Sequence, residues 1–270
     1  MKKMDLMINI PSAKKKGCLM TPKEAREFAK KNNLTFFPEK DSRSPRNSDW
    51  FLNRLNSEIK TDDDIFKCIL YALCYYGADT NGNRKGYANY EKIICNQSSI
   101  NTKLVKKVLI DWGMNSRGAK LATDLEQQIK NLYATFGNLC GNMQLLDFLV
   151  PKSPLMQNVC NIFNSLLLSQ SKNQLVTVSK TLHFLCPQTF IPIDGKYVVG
   201  FFTNYHGNVI NNQLNVFVNV HIALATLYNS HQNLFNTLAS ITGFPVTKLL
   251  DFMLIGYYMF REDYIQNFKL

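Results

Sequence analysis

At 270 residues the chain is long enough for one large domain or two modest ones, and 46% hydrophobic with 12% aromatic residues is the make-up of a packed globular protein. Thirty-one Lys and Arg against 20 Asp and Glu leave a net charge of +11, so a polyanion such as nucleic acid is the first partner to expect and an anionic membrane surface the second. Seven cysteines, an odd number without a CxxC pair, and an early apolar stretch (Leu6 to Ile10) too short for an export signal argue against a disulfide framework and predict reduced thiols in a cytoplasmic protein.

In chain order, residues 1–48 read as a basic N-terminal arm, with clusters at Lys2-Lys3 and Lys14-Lys15-Lys16. Within it Thr21-Pro22-Lys23-Glu24 predicts a helix start, with Thr as cap and Pro at the first helical position, running to about Asn33. Residues 49–150 read as a helical subdomain. Trp50, Leu52 and Leu55 mark a short segment, and Asp62, Asp63 and Asp64 place negative charge at the start of a helix from Ile65 to Tyr76 that stops at Gly77. The stretch GADTNGNRKGYAN then reads as a loop, either an ordinary one or a phosphate contact through Arg84-Lys85. Further helices are expected at 101–113, 117–136 and 142–150, with no long strand.

Residues 151–270 form the third unit. Met156, Val159, Ile162, Phe163 and Leu166 share one face of a helix over 153–170. After a polar turn (Ser171, Asn173, Thr177, Ser179) a helix is expected to open at Lys180 and close before Pro187. Helical patterns follow at 213–229, 231–241 and 245–260. The most apolar run, Leu249 to Phe260, is too short to span a bilayer, so no membrane partner is expected. The fold class is mainly α, and no internal repeat is found.

Several chemistries lack their residues. No GxxxxGK[ST] or GxGxxG cradle is present, so no nucleotide cofactor is expected. His183, His206, His221 and His231 have neither HExxH spacing nor neighbouring cysteine pairs, so no metal or other cofactor is expected, and His183 reads as a core histidine. Serine and cysteine nucleophile signatures are missing. What stands out is charge: residues 148–250 hold five lysines (Lys152, Lys172, Lys180, Lys196, Lys248) and one acid, Asp194. Their other polar positions are Asn, Gln, Ser and Thr, which donate hydrogen bonds to phosphate without repelling it.

Ser179-Lys180-x-Leu182-x-Phe184, Pro187, Phe190, Pro192 and Asp194 resemble the active-site segment of the helix-hairpin-helix DNA glycosylase superfamily, in its 8-oxoguanine DNA glycosylase-like branch. Lys248-Leu249-Leu250-Asp251-Phe252 is similar to a C-terminal helix of bacterial members, and the likeness covers about residues 153–260. It departs from the family at the hairpin, where Leu175 to Ser179 lacks the usual glycines, and in the short interval from Lys180 to Asp194.

The resemblance implies two helical subdomains flanking a DNA-binding cleft, with Lys180 as the nucleophile on the sugar C1′ of a flipped nucleotide and Asp194 stabilising the positive charge on the sugar. Burial and a helix N-terminus, both expected for Lys180, disfavour an ammonium. Lys172, Thr177, Ser179 and Lys196 are the candidate nucleic-acid contacts, and Phe184, Tyr257 and Tyr258 the candidate base pocket. The residues alone also read more simply, with Lys180 a solvated lysine at a helix start, Asp194 a plain helix cap and the two tyrosines core packing. The corresponding alternatives to an enzyme are a non-catalytic DNA-binding protein on the same fold, or an interaction protein, in anti-phage defence for example, that works through its basic arm.

Overall fold

The computed structural model describes residues 48–78, 83–94, 101–115, 120–140, 143–150, 154–203 and 213–267. Their architecture is helical: α1 Ser48–Glu58, α2 Asp62–Ala78, α3 Asn83–Ile94, α4 Thr102–Asp111, α5 Leu125–Cys140, a 3-10 turn Leu145–Leu149, α6 Pro154–Ser165, α7 Leu175–Leu185, a wide π-type turn Gly195–Val199, α8 Gly200–Thr203, α9 Gln213–Ser230, α10 Gln232–Thr242 and α11 Val246–Asn267. Among the described residues extended pairing is limited to one bridge, Leu121 with Ser169. The helix predicted at Thr21, the basic arm and His206 lie outside the described residues.

Local chemistry explains most boundaries. Thr61 and Asp64 cap α2 reciprocally: Asp64 N–H donates to Thr61 Oγ1, and Asp64 Oδ2 accepts the Lys60 and Thr61 N–H at 3.0 Å each. Asn101 Oδ1 accepts the Leu104 N–H and starts α4. Gly243, at φ 75°, closes α10 in the left-handed conformation that suits glycine, and Pro245 follows before α11.

Several boundaries correct the sequence reading: the helices expected at 117–136 and 153–170 run over Leu125–Cys140 and Pro154–Ser165, and the one expected at 142–150 is the 3-10 turn Leu145–Leu149. The expected loop at 77–89 is in part helix, because α3 begins at Asn83 and brings Tyr90 fully into the core. The expected opening of a helix at Lys180 also fails. α7 begins at Leu175, which leaves Lys180 in its second turn and makes helix of the residues aligned with the family's hairpin.

That early start is held from a distance. Gln213 Oε1, at the head of α9, accepts the N–H groups of Gln174 and Leu175 at 2.6 and 2.8 Å, so the N-terminus of α7 is closed by the protein's own amide. Ten of the eleven α7 residues are buried, among them Leu175, Val178, Leu182, Phe184 and Leu185, each worth about 1.5–3 kcal/mol of apolar burial. α7 packs against α3, α4, α5 and α9.

The long α11 runs against α2, and the crossing is tight: a Cβ added at Gly256 would lie 1.8 Å from the Cys68 carbonyl oxygen. α1 packs on α9, and one continuous apolar core runs from Phe51 to Met259. Among the described residues no single helix is long and apolar enough to cross a membrane. Cys68, Cys74 and Cys160 are free, whereas Cys186, which ends α7, is disulfide-bonded, a correction to the expectation of reduced thiols throughout.

Candidate functional site

Beyond α7 the chain turns at Pro187, runs extended from Phe190 to Asp194, and lies back along the helix it has just left. Three buried side chains fix that run. Ser179 Oγ accepts the Ile193 N–H at 3.1 Å. His221 Nε2 accepts the Ile191 N–H at 2.9 Å while its Nδ1 faces the Phe217 carbonyl at 2.8 Å, so this ring is the neutral Nδ1–H tautomer. His183 faces the Phe190 carbonyl through Nδ1 and the Tyr90 hydroxyl through Nε2, both at 2.7 Å, and takes the same tautomer. Burial in these apolar surroundings lowers the His183 pKa to about 3 and that of His221 to about 4. His183 is thus a fully buried core histidine, as its sequence context predicted.

The result of this strapping is the meeting of Lys180 with Asp194. Lys180 Nζ lies 3.2 Å from Asp194 Oδ2, with side-chain exposures of 5% and 29%, so the pair reaches the surface on its carboxylate side. Asp194 Oδ1 caps the turn that follows, accepting the Lys196 and Tyr197 N–H groups at 2.7 and 3.2 Å. Burial pulls the Asp194 pKa upward, but the Lys180 charge and the two N–H bonds outweigh it and leave the carboxyl below its ordinary range. Asp194 is therefore both helix cap and ion-pair partner, and Lys180 is not a solvated lysine.

A second pair stands beside the first. Lys248 and Asp251, one turn apart on α11, are 2% and 3% exposed and meet at 2.5 Å. The Trp112 ring lies 4.5 Å from Lys248 Nζ and 5.6 Å from Lys180 Nζ, so one indole serves both ammonium groups. Phe252 and Tyr90 complete the aromatic wall around Lys248, at 4.5 and 5.9 Å. Burial lowers the Lys248 pKa against the pull of Asp251, and burial raises that of Asp251 against the pull of Lys248. Asp251 Oδ1 is buried with no hydrogen-bond partner among the described residues.

The other predicted site residues divide by burial. Thr177 and Ser179 are 1% and 0% exposed, with the Thr177 hydroxyl turned to Met114 Sδ at 3.3 Å, so neither can meet a phosphate and their assignment as nucleic-acid contacts is corrected. Phe184 packs 5.0 Å from the Trp112 ring and 6.0 Å from Tyr90, a core position rather than a pocket wall. Tyr257 is buried too, its hydroxyl donating to Glu58, which also binds Arg54 at 2.7 Å. Both residues leave the candidate base pocket.

Lys172 is exposed, and Lys196 and Tyr258 are half-buried. The Tyr258 ring meets Tyr197 edge-on at 6.1 Å beside the turn that Asp194 caps, and Lys196 Nζ sits 4.9 Å over Tyr197. A separate cleft of about 360 Å³, lined by Ile94, Gln188, Tyr228, Asn236 and Phe244 among others, lies beyond the far end of α7. The side chains of Arg84 and Lys85 are outside those described.

Sequence reasoning missed the second ion pair, Trp112 and the two strapping histidines. Lys248 and Asp251 stood in the text at one-turn spacing, but nothing in it aimed them at Lys180. Comparison of the chain with protein-family models, with curated proteins and with solved structures finds no match.

Proposed function

We propose that this chain is a DNA glycosylase with AP-lyase activity, acting through Lys180 and Asp194. The observation that carries the reading is the pair itself, an amine and a carboxylate 14 residues apart, held 3.2 Å from each other with the carboxylate half-exposed. In this reaction the Lys180 nitrogen bonds to C1′ of an extruded nucleotide while the glycosidic bond breaks, its electron pair leaving with the base. The amine must first lose a proton, and Asp194 Oδ2 is the acceptor already in contact. Asp194 passes that proton on to the departing base, and the carboxylate so restored faces the positive charge that develops on the sugar. Lys172 and Lys196, which reach solvent, supply phosphate contacts, and Tyr197 with Tyr258 offers ring surface for a base at the mouth of the site. The net charge of +11 favours this partner.

The test is base release from duplex and single-stranded DNA carrying oxidised or alkylated bases, 8-oxoguanine first. Release by the wild type and its loss in Asp194→Asn is the expected result. DNA binding without release from any substrate, and without attack on an abasic site, overturns it.

A second reading has its own observation. Lys180 is only 4% exposed and its charge is met by Asp194, so the same pair fastens the extended segment to α7. On that reading the chain is a non-catalytic DNA-binding protein, with a role in anti-phage defence or another interaction. It expects salt-sensitive DNA binding that survives Lys180→Met.

A further inference from the structure

We infer that the cleft beyond the far end of α7 is a binding site for a purine base. The inference goes beyond the glycosylase reading and does not rest on it, because the cleft shares no lining residue with the pair of Lys180 and Asp194.

The cleft encloses about 360 Å³, within the range of small-molecule sites, and none of its ten described lining residues carries a formal charge. That neutrality is unusual in a chain of net charge +11, and it extends outward: from Tyr197 to Thr247 the sequence holds no Lys, Arg, Asp or Glu. A phosphate or carboxylate finds no counter-charge among the described lining residues, so the occupant that fits is uncharged.

The aromatic surface of the cleft is held from behind. The half-buried Phe244 ring lies near-parallel to Tyr90 at 6.3 Å and edge-on to Phe252 at 5.3 Å. Tyr228 packs edge-on against Phe235 at 6.0 Å, and Pro187 and Pro245 add two further rigid rings to the lining. Such surfaces suit a planar heterocycle.

The polar side chains are amides. The Tyr228 hydroxyl donates to Asn236 Oδ1 at 3.0 Å, which orients that amide and leaves its Nδ2 as a donor without a partner among the described residues. Gln188, exposed in the turn after α7, has no hydrogen-bond partner among the described residues, so it brings both an acceptor and donors. A glutamine amide pairs in bidentate fashion with a purine edge, as with N6 and N7 of adenine. A purine carries hydrogen-bonding atoms on both of its rings and meets Gln188 on one edge and the Asn236 donor on another, whereas a pyrimidine has one ring with which to meet both.

The purine belongs either to a free nucleoside or to a single strand, and the experiment separates the two. The full chain is titrated with adenosine, guanosine, cytidine and ribose by isothermal calorimetry, and with adenosine in the presence of a single-stranded oligodeoxyadenylate. Saturable binding of adenosine or guanosine is expected, at least about tenfold tighter than that of cytidine and with no binding of ribose. Gln188→Leu and Asn236→Leu, both at exposed positions, should each weaken the purine about tenfold while the unfolding temperature stays at the wild-type value; if one variant does not fold, the other decides. Displacement of adenosine by the oligonucleotide upholds the site and places the base on a strand, and retention of adenosine upholds it as a nucleoside site. The inference is overturned by the absence of saturable purine binding up to about 1 mM, by cytidine binding as tightly as the purines, or by an affinity that the folded variants leave unchanged. Because the readout is binding alone, a protein that releases no base refutes the glycosylase reading and leaves this result standing.

Discussion

Lys180 and Asp194 are joined at 3.2 Å, yet the two ends of the contact are unequally supported. Asp194 keeps two backbone N–H bonds and partial access to water if the lysine is removed, whereas Lys180 has Asp194 as its ion-pair partner and almost no exposure. The destabilisation should therefore rank Asp194→Ala above Asp194→Asn above Lys180→Met. About 1 kcal/mol is expected between the two Asp194 variants, because Asn retains the cap. A further 2 kcal/mol or so should separate Asp194→Asn from Lys180→Met, because a buried ammonium is left unpaired. Urea denaturation of the three variants checks the order, and a Lys180→Met cost equal to that of Asp194→Ala contradicts it.

The strapping histidines make the fold sensitive to acid. His183 and His221 have pKa values of about 3 and about 4 in the fold, against about 6.5 in an unfolded chain. The unfolded chain binds these protons more readily, so their contribution to stability is complete above pH 6.5 and is lost as the pH falls toward 4 and then 3. Between about pH 6 and 4 both act together, and unfolding free energy should fall by up to about 2.7 kcal/mol per pH unit. Replacing His221 with Gln should roughly halve that slope. Unfolding curves at pH 7, 6 and 5 give the answer, and a slope that Gln leaves unchanged removes His221 from the account.

Gly256 is the point where α11 touches α2. Its added Cβ would meet a backbone carbonyl at 1.8 Å, and a backbone atom cannot turn aside as the end of a side chain can. Gly256→Ala should cost at least about 2–3 kcal/mol, at the upper end for overpacking. Gly243→Ala, with open space around it, should cost only the strain of a left-handed alanine, about 1 kcal/mol. Thermal unfolding of the two variants measures the contrast.

Lys172 and Lys196 are the two candidate DNA contacts from the sequence reading that keep access to solvent. If each meets one phosphate, Lys172→Ala and Lys196→Ala should each lower the slope of log K against log salt by about 1, with little dependence on base sequence. Fluorescence anisotropy between about 50 and 200 mM salt resolves such a change. Unchanged slopes would move the basic surface elsewhere.

Much of this fold was legible because helical periodicity is a local signal. The acidic start of α2 and the apolar face of α6 stood where the text placed them. Two errors share a cause. Residues 83–89 carry Asn and Gly, and residues 175–179 carry hydroxyl and β-branched side chains, all poor advertisements for helix. Tertiary partners overrode them: Tyr90 gains the core, and Gln213 caps α7 from 38 residues away. The site divides in the same way. Lys180 and Asp194 were visible as isolated charges in an acid-poor field, but the second pair across Trp112 exists only once α4, α7 and α11 are packed. Thr177 and Ser179 illustrate the converse, since a hydroxyl beside a lysine looks like a phosphate contact until burial is known.

The central claim is amine chemistry at Lys180. Borohydride trapping on DNA with an abasic site, run side by side with wild type and Lys180→Met, tests it most directly. A covalent protein–DNA adduct is expected with the wild type and none with a folded Lys180→Met that still binds the DNA. Wild-type protein that binds the abasic DNA without forming an adduct, or an adduct that persists in Lys180→Met, contradicts it.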